Sequence, residues 1–121
     1  MPAFPSVFPL WWIALTAIIA GSVGFILLRW RFKELPIRER ALAALIVALC
    51  VLAWRSSANI PQFNDDPIAL LSPNDWLCPV ITYIFLGVYA AFRPAVSALR
   101  GWSQVRAWLT VITLVVNVIV I

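Results

Sequence analysis

The chain has 121 residues, of which 64% are hydrophobic and 12% charged, and its formal net charge is +4 at pH 7. Soluble domains have roughly 45–50% apolar and about 25% charged residues, so this composition excludes an ordinary soluble domain and indicates an integral membrane protein. The sequence contains no His, which excludes histidine-ligated haem, zinc or copper and His-based acid–base catalysis. We predict a single all-α transmembrane domain over residues 1–121 with four membrane-spanning helices.

The first predicted transmembrane helix covers residues 10–28, an apolar run without a charged side chain. About 20 such residues are needed to cross the roughly 30 Å hydrocarbon core of a bilayer. Pro2, Pro5 and Pro9 precede the run and keep the tail extended. Positive charge follows the run instead of preceding it, which is not typical of a cleavable signal peptide. We therefore expect this segment to be retained as a span.

The second predicted helix covers residues 37–56, but its uncharged stretch, between Arg40 and Arg55, is short for a span. Pro36 suits the start of a helix, and long arginine side chains can extend their charges to the interfaces. These two features favour a full span. The alternative is a re-entrant segment, which leaves three true spans.

The third and fourth predicted helices cover residues 73–92 and 106–121. The third has a clear start signal, because Ser72 can act as N-cap, Pro73 suits the first helical position, and Asp75 can complete a capping box. The connection before it contains a turn signal over residues 64–67 and an apolar patch over residues 68–71. We expect the apolar patch to lie on the membrane or against a partner.

The connection between the third and fourth predicted helices has two interpretations. Residues 94–105 place Ala95, Leu99 and Trp102 on one face at helical spacing, which predicts a short amphipathic helix on the membrane interface. Gly101 weakens this prediction, and an irregular basic loop is the alternative.

Lys and Arg residues concentrate in alternate connections, which predicts the orientation of the chain. The first and third connections are basic, whereas the second has one Arg against three Asp and the N-terminal tail has no charged side chain. Basic loops stay in the cytoplasm, so both termini are predicted outside, in a bacterial plasma membrane or an equivalent energy-converting membrane. The basic residues are expected to contact lipid headgroups of the bilayer, not nucleic acid, because they lie between membrane helices. They are Arg29, Arg31, Lys33, Arg38, Arg40, Arg93, Arg100 and Arg106.

Small residues spaced four apart predict where the helices pack closely, since apolar burial does not drive helix association inside a bilayer. The predicted packing residues are Gly21, Gly24, Ala44, Ala48, Gly87 and Ala91. Cys50 and Cys78 both fall near the predicted outer ends of their helices. Two free thiols are the default interpretation, and a disulfide joining the second and third spans is the alternative.

The sequence contains no motif that carries recognisable chemistry. No charged residue lies in the interior of a predicted span, away from its ends, and there is no phosphate-binding loop or nucleophile elbow. We therefore expect a non-enzymatic accessory or scaffold subunit of a larger membrane complex, for energy conversion or transport, with no cofactor of its own but with lipid or pigment packed against it. The alternative is a self-assembling small channel, transporter or holin-like pore. The polar residues available to line such a pore are Ser22, Thr82, Thr113 and Asn117.

Overall fold

A computed structural model describes residues 7–64, 72–97 and 101–120, without the side chains of Ala95 and Ser97. Throughout this part of the chain the regular secondary structure is helical, which confirms the prediction of an all-α fold. Two of the helices, the first and the last, are long and apolar enough to cross a membrane. The helices are α1 (Leu10–Arg31), α2 (Ile37–Ser57), α3 (Pro61–Asn64), α4 (Pro73–Ala91), α5 (Pro94–Ser97) and α6 (Trp102–Val120).

Prolines set the starts of the first two long helices. Pro9 and Pro36 both have extended backbone conformations and lie immediately before α1 and α2. Proline is tolerated at this position because the N–H group that it lacks would have no partner within the helix. The end of α1 lies at Arg31, three residues beyond the predicted boundary at residue 28. Arg29 and Arg31 occupy its last turn, where positive side chains interact favourably with the free carbonyl groups.

The predicted start of α4 is confirmed. The Ser72 side chain accepts a hydrogen bond from the backbone N–H of Asp75, and the Asp75 carboxylate accepts one from the backbone N–H of Ser72. This capping box satisfies two donors that a helix start otherwise leaves free. Pro79 lies inside α4, and the helix continues past it to Ala91.

The predicted amphipathic helix over residues 94–105 is corrected by the structure. The short helix α5 ends at Ser97, residues 98–100 lie outside the described part, and Gly101 has a φ of 88°. This left-handed conformation does not fit inside a continuous α-helix and favours glycine. A new helix, α6, starts directly after it, with the Gly101 carbonyl accepting the N–H groups of Gln104 and Val105. The fourth long helix therefore starts at Trp102 and not at residue 106.

The long helices pack as two antiparallel pairs. α1 lies along α2 and α4 lies along α6, and further contacts join α2 to α4 and α1 to α6. We call the end where α1 finishes and α6 begins the basic end, and the opposite end the asparagine end. The core runs between them and is built from small and branched apolar side chains of all four long helices. Its members include Ala17, Ala20, Leu28, Val47, Val51, Leu86, Leu109 and Val116.

Candidate functional site

The asparagine end contains a buried ion pair that the sequence did not reveal. Nη1 of Arg55, in the last turn of α2, lies 3.3 Å from Oδ1 of Asp75, in the first turn of α4, and each side chain is only 1% exposed. The Arg55 guanidinium also lies 5.5 Å from the centre of the Phe8 ring. Sequence reasoning assigned Arg55 to the interface and Asp75 to capping. The signal that could have found the pair is the opposite charge at the facing ends of two consecutive long helices.

Three asparagines extend this site into a network, which we call the asparagine cluster: Asn59, Asn64 and Asn74. Nδ2 of Asn74 donates to the Ala58 carbonyl and to Oδ1 of Asn64, each at 2.8 Å. Its Oδ1 accepts from Nε1 of Trp54 at 3.1 Å. Asn64 in turn donates to Oδ1 of Asn59 at 2.8 Å. The amide of Asn74 is therefore engaged on both its oxygen and its nitrogen.

The segment before α1 is attached to the same network. The Phe8 backbone N–H donates to Oδ1 of Asn59 at 2.9 Å, and Nδ2 of Asn59 donates to the Phe8 carbonyl at 2.8 Å. The cluster thus joins the start of the bundle, the end of α2, α3 and the start of α4. Because its polar groups are mostly used within the chain, its chemistry is that of a structural clasp.

A second polar cluster lies at the basic end and joins α2 to α4. The Glu39 carboxylate accepts hydrogen bonds from Nη2 of Arg93 at 2.6 Å and from the hydroxyl of Tyr89. The Arg93 guanidinium lies 5.7 Å from the centre of the Tyr89 ring, and the ring of Trp102 is 6.0 Å from that of Tyr89. We call this group the Glu39 cluster. Sequence reasoning missed it because Glu39 lies 50 positions before Tyr89 in the sequence.

The predicted headgroup-contacting residues are distributed around the basic end. Arg29, Arg31, Lys33 and Arg38 are exposed, and Arg100 lies outside the described residues. Nε of Arg40 donates to the Leu35 carbonyl at 2.8 Å, so this side chain folds back on the first connection. The Arg31 guanidinium lies 5.4 Å from the centre of the Trp108 ring.

The first connection and the start of α6 enclose a cleft of about 640 Å³. Arg31 and Lys33 supply positive charge to its lining, Glu34 supplies one negative charge, and Trp30 and Trp102 supply aromatic surface. This combination of cations and aromatic rings is chemically suited to a lipid headgroup.

The predicted packing residues fall into two groups. A Cβ added to Gly21 would lie 3.0 Å from Cβ of Ala48 and 3.2 Å from the carbonyl oxygen of Ala44, so the structure places these small residues of α1 and α2 against one another. A Cβ on Gly24 would lie 3.1 Å from Cδ2 of Leu109. The remaining two predicted packing residues, Gly87 and Ala91, do not bring two helix backbones together in this way.

Gly87 accommodates a charged side chain instead of a helix backbone, because an added Cβ would collide with the guanidinium of Arg106. Nε of Arg106 donates to the Tyr83 carbonyl at 2.8 Å, and its Cζ lies 3.5 Å from the centre of the Tyr83 ring. Ala91, the predicted partner of Gly87, is exposed.

The polar residues named for a pore are mostly inside the bundle. Thr82, Thr113 and Asn117 are fully buried, whereas Ser22 is exposed. The Thr82 and Thr113 hydroxyls donate to carbonyls of their own helices at 2.9 and 2.8 Å, and Nδ2 of Asn117 donates to the Thr113 carbonyl at 2.7 Å. Cys50 and Cys78 are buried free thiols, which agrees with the default interpretation.

Comparison with known proteins adds no relative: no family model matches the chain, and neither the curated proteins nor the solved structures contain a match. Within residues 7–64, 72–97 and 101–120, no three His, Cys, Asp or Glu side chains are grouped so that they could hold a metal ion. The polar chemistry of the described chain is thus concentrated in the two clusters and the Arg106 contact.

Proposed function

We propose that the chain is a four-span membrane protein that acts as a non-catalytic packing subunit of a larger membrane assembly. In this proposal α1, α2, α4 and α6 are the spans and both termini lie outside, in a bacterial plasma membrane or an equivalent energy-converting membrane. α2 has 21 residues and α4 has 19, so at 1.5 Å per residue they are about 32 Å and about 29 Å long, close to the hydrocarbon thickness.

The observation that carries the proposal is the contrast between the inside and the outside of the bundle. Only 33% of the apolar window of α1 and 28% of that of α6 are buried within the chain, whereas a core helix of a soluble protein is mostly buried. Large apolar side chains such as Ile18, Leu49 and Ile119 point outward. This exterior requires lipid, a bound pigment or another polypeptide to cover it.

The buried positions of Thr82, Thr113 and Asn117 favour a packing subunit over a self-assembled pore. A pore formed between copies would need polar side chains on an outward face, and these three point into the bundle of a single chain. Their donor groups are bonded to carbonyls of their own helices, an arrangement that satisfies these donors inside a membrane helix and does not leave them free to face a pore.

The proposed partners are larger subunits of an energy-converting or transport complex, together with the surrounding lipid. Anionic headgroups are the proposed ligands of Arg31 and Lys33 in the cleft at the basic end. Nucleic acid is not a proposed partner, because the basic side chains lie at the ends of membrane helices.

Native mass spectrometry of the protein, extracted in mild detergent at its natural expression level, tests this function. We expect the chain to leave the membrane with larger, unrelated subunits in a fixed ratio. Recovery of copies of the chain alone would overturn the proposal, and liposome flux assays with Asn117→Ala and Thr113→Val would then test the pore.

A further inference from the structure

Arg106 has an unusual position for a charged residue in a membrane helix. It lies in the second turn of α6, and its guanidinium reaches across to the Tyr83 carbonyl and ring of α4. Tyr83 is eight residues before the end of α4 at Ala91, which corresponds to about 12 Å along the helix axis. An arginine near the end of a span ordinarily extends toward the headgroups. Arg106 instead extends across the exposed side of α4, away from the nearer end of that helix.

The contacts of Arg106 hold its charge without neutralising it. The Tyr83 carbonyl and ring are uncharged partners, and Gly87 provides only the space into which the guanidinium fits. The ion pairs found among the described residues are Arg55 with Asp75 and Arg93 with Glu39, so neither includes Arg106. A positive charge at this depth in a bilayer is costly unless an anion pairs with it.

The surface around Arg106 is open and apolar. On α4, the exposed side chains of Val80, Tyr83, Ile84 and Val88 follow helical spacing and therefore lie on one side of the helix. Arg106 is half-buried at the edge of this face. We call the face, together with Arg106, the Arg106 surface.

We propose that the Arg106 surface docks a transmembrane helix of another polypeptide, which carries an Asp or Glu that pairs with the Arg106 guanidinium inside the membrane. The proposal rests on the four-span function given above. Tyr83 already orients the guanidinium through Nε, which leaves the two terminal nitrogens to bind a carboxylate, the geometry in which arginine forms its strongest ion pairs.

A second copy of this chain fits the surface less well than a different protein does. Of the described carboxylates, Glu39 and Asp75 are buried in their own ion pairs, and Glu34 lies in the first connection, beyond the ends of the helices. A lipid phosphate fits less well too, because phosphates lie among the headgroups and not about 12 Å along the helix from its end.

Site-specific photo-crosslinking in the native membrane tests the proposal. A photoreactive amino acid replaces Val88 on the Arg106 surface or, as a control, Leu49 on α2, whose exposed fraction of 52% is close to the 44% of Val88. From Val88 we expect a crosslink to one larger subunit, in a transmembrane helix that contains Asp or Glu. Arg106→Gln should reduce this crosslink at least about tenfold, whereas Arg29→Gln, which removes an exposed charge elsewhere, should leave it unchanged.

A charge swap separates an ion pair from simple packing. Arg106→Glu should lose the crosslink, and combining it with Arg at the partner's acidic position should restore it. Neutralising the partner's acid alone provides the same test if an Arg106 variant does not fold. The proposal is overturned if the crosslink survives in Arg106→Gln, if only lipid or a second copy is captured, or if the captured helix has no acidic residue.

These outcomes are distinguishable from failure of the proposed function. If native mass spectrometry finds larger subunits with both the wild type and Arg106→Gln, and the Val88 crosslink is unchanged, the packing function stands and the Arg106 proposal falls. If only copies of the chain are recovered, both fall.

Discussion

The Arg55–Asp75 pair illustrates how a single buried contact can be both costly and necessary. Removing two charges from water is expensive, and their attraction repays that cost only with good geometry and additional hydrogen bonds. Asp75 meets this condition, since its second oxygen accepts the Ser72 N–H while the first lies beside Arg55. The pair also neutralises Arg55 at the end of α2. In the proposed topology this end of the bundle lies outside, where the charge rule for membrane loops favours few free cations.

At the residue scale we predict that Asp75→Asn lowers the free energy of unfolding by about 3–5 kcal/mol, because it removes a carboxylate charge from beside the buried Arg55 guanidinium. Adding Arg55→Met should recover part of the loss. The measurement is SDS-induced unfolding in mixed micelles. Glu34→Gln, at an exposed position, is the matched control and should change stability by less than about 0.5 kcal/mol. An equal loss of unfolding free energy in Asp75→Asn and Glu34→Gln would contradict a stabilising role of the ion pair.

At the element scale, short-range sequence signals define the starts of three long helices, whereas the predicted start of α6 was wrong. Pro9, Pro36 and the Ser72–Asp75 capping box act within a few residues of the starts they define, and each start was predicted correctly. The start of α6 was placed four residues late because the charge of Arg106 was taken as the limit of the span. A charged residue limits burial in lipid but does not end a helix, and the left-handed Gly101 is the boundary instead.

The close contact between α1 and α2 leads to a second prediction. Gly21→Leu should lower stability by about 1–3 kcal/mol or more, because the new side chain meets the backbone oxygen of Ala44, which cannot rotate away. Ser22→Leu introduces the same side chain at the next, exposed position and should have little effect. Thermal unfolding in detergent compares the two variants. A loss in Ser22→Leu as large as that in Gly21→Leu would show that the α1–α2 contact is not the cause.

At the scale of the whole molecule, the two ends of the bundle differ in how they hold charge. The basic end exposes Arg29, Arg31 and Lys33. The asparagine end instead buries its arginine in an ion pair and joins its segments through amide groups. This asymmetry accompanies the predicted orientation, with the exposed cations in the cytoplasm and the clasp outside.

The orientation gives the third prediction, tested with single cysteines in a Cys50→Ala, Cys78→Ala background. A cysteine at exposed Gln62 should react with an impermeant maleimide from outside, and one at Glu34 only after the membrane is opened. Changing Arg29, Arg31 and Lys33 to Glu should perturb insertion and reduce labelling at position 62, because these charges retain the first connection in the cytoplasm. Changing Arg29 and Arg31 to Lys keeps the positive charge. The labelling pattern should then be the same as without these substitutions.

The sequence by itself determined the all-α fold, the starts of three long helices and the pattern of charge along the chain, since composition, prolines and caps act locally. It also identified Gly21, Ala44 and Ala48 as small residues suited to close packing. Only the tertiary structure decided which residues meet: Arg55 with Asp75, Glu39 with Tyr89 and Arg93, and Arg106 with Tyr83 at Gly87. The physical reason is that helices apolar on nearly every side carry little periodic signal of which face turns inward. Their rotations follow from packing the whole bundle, and those rotations place the charges.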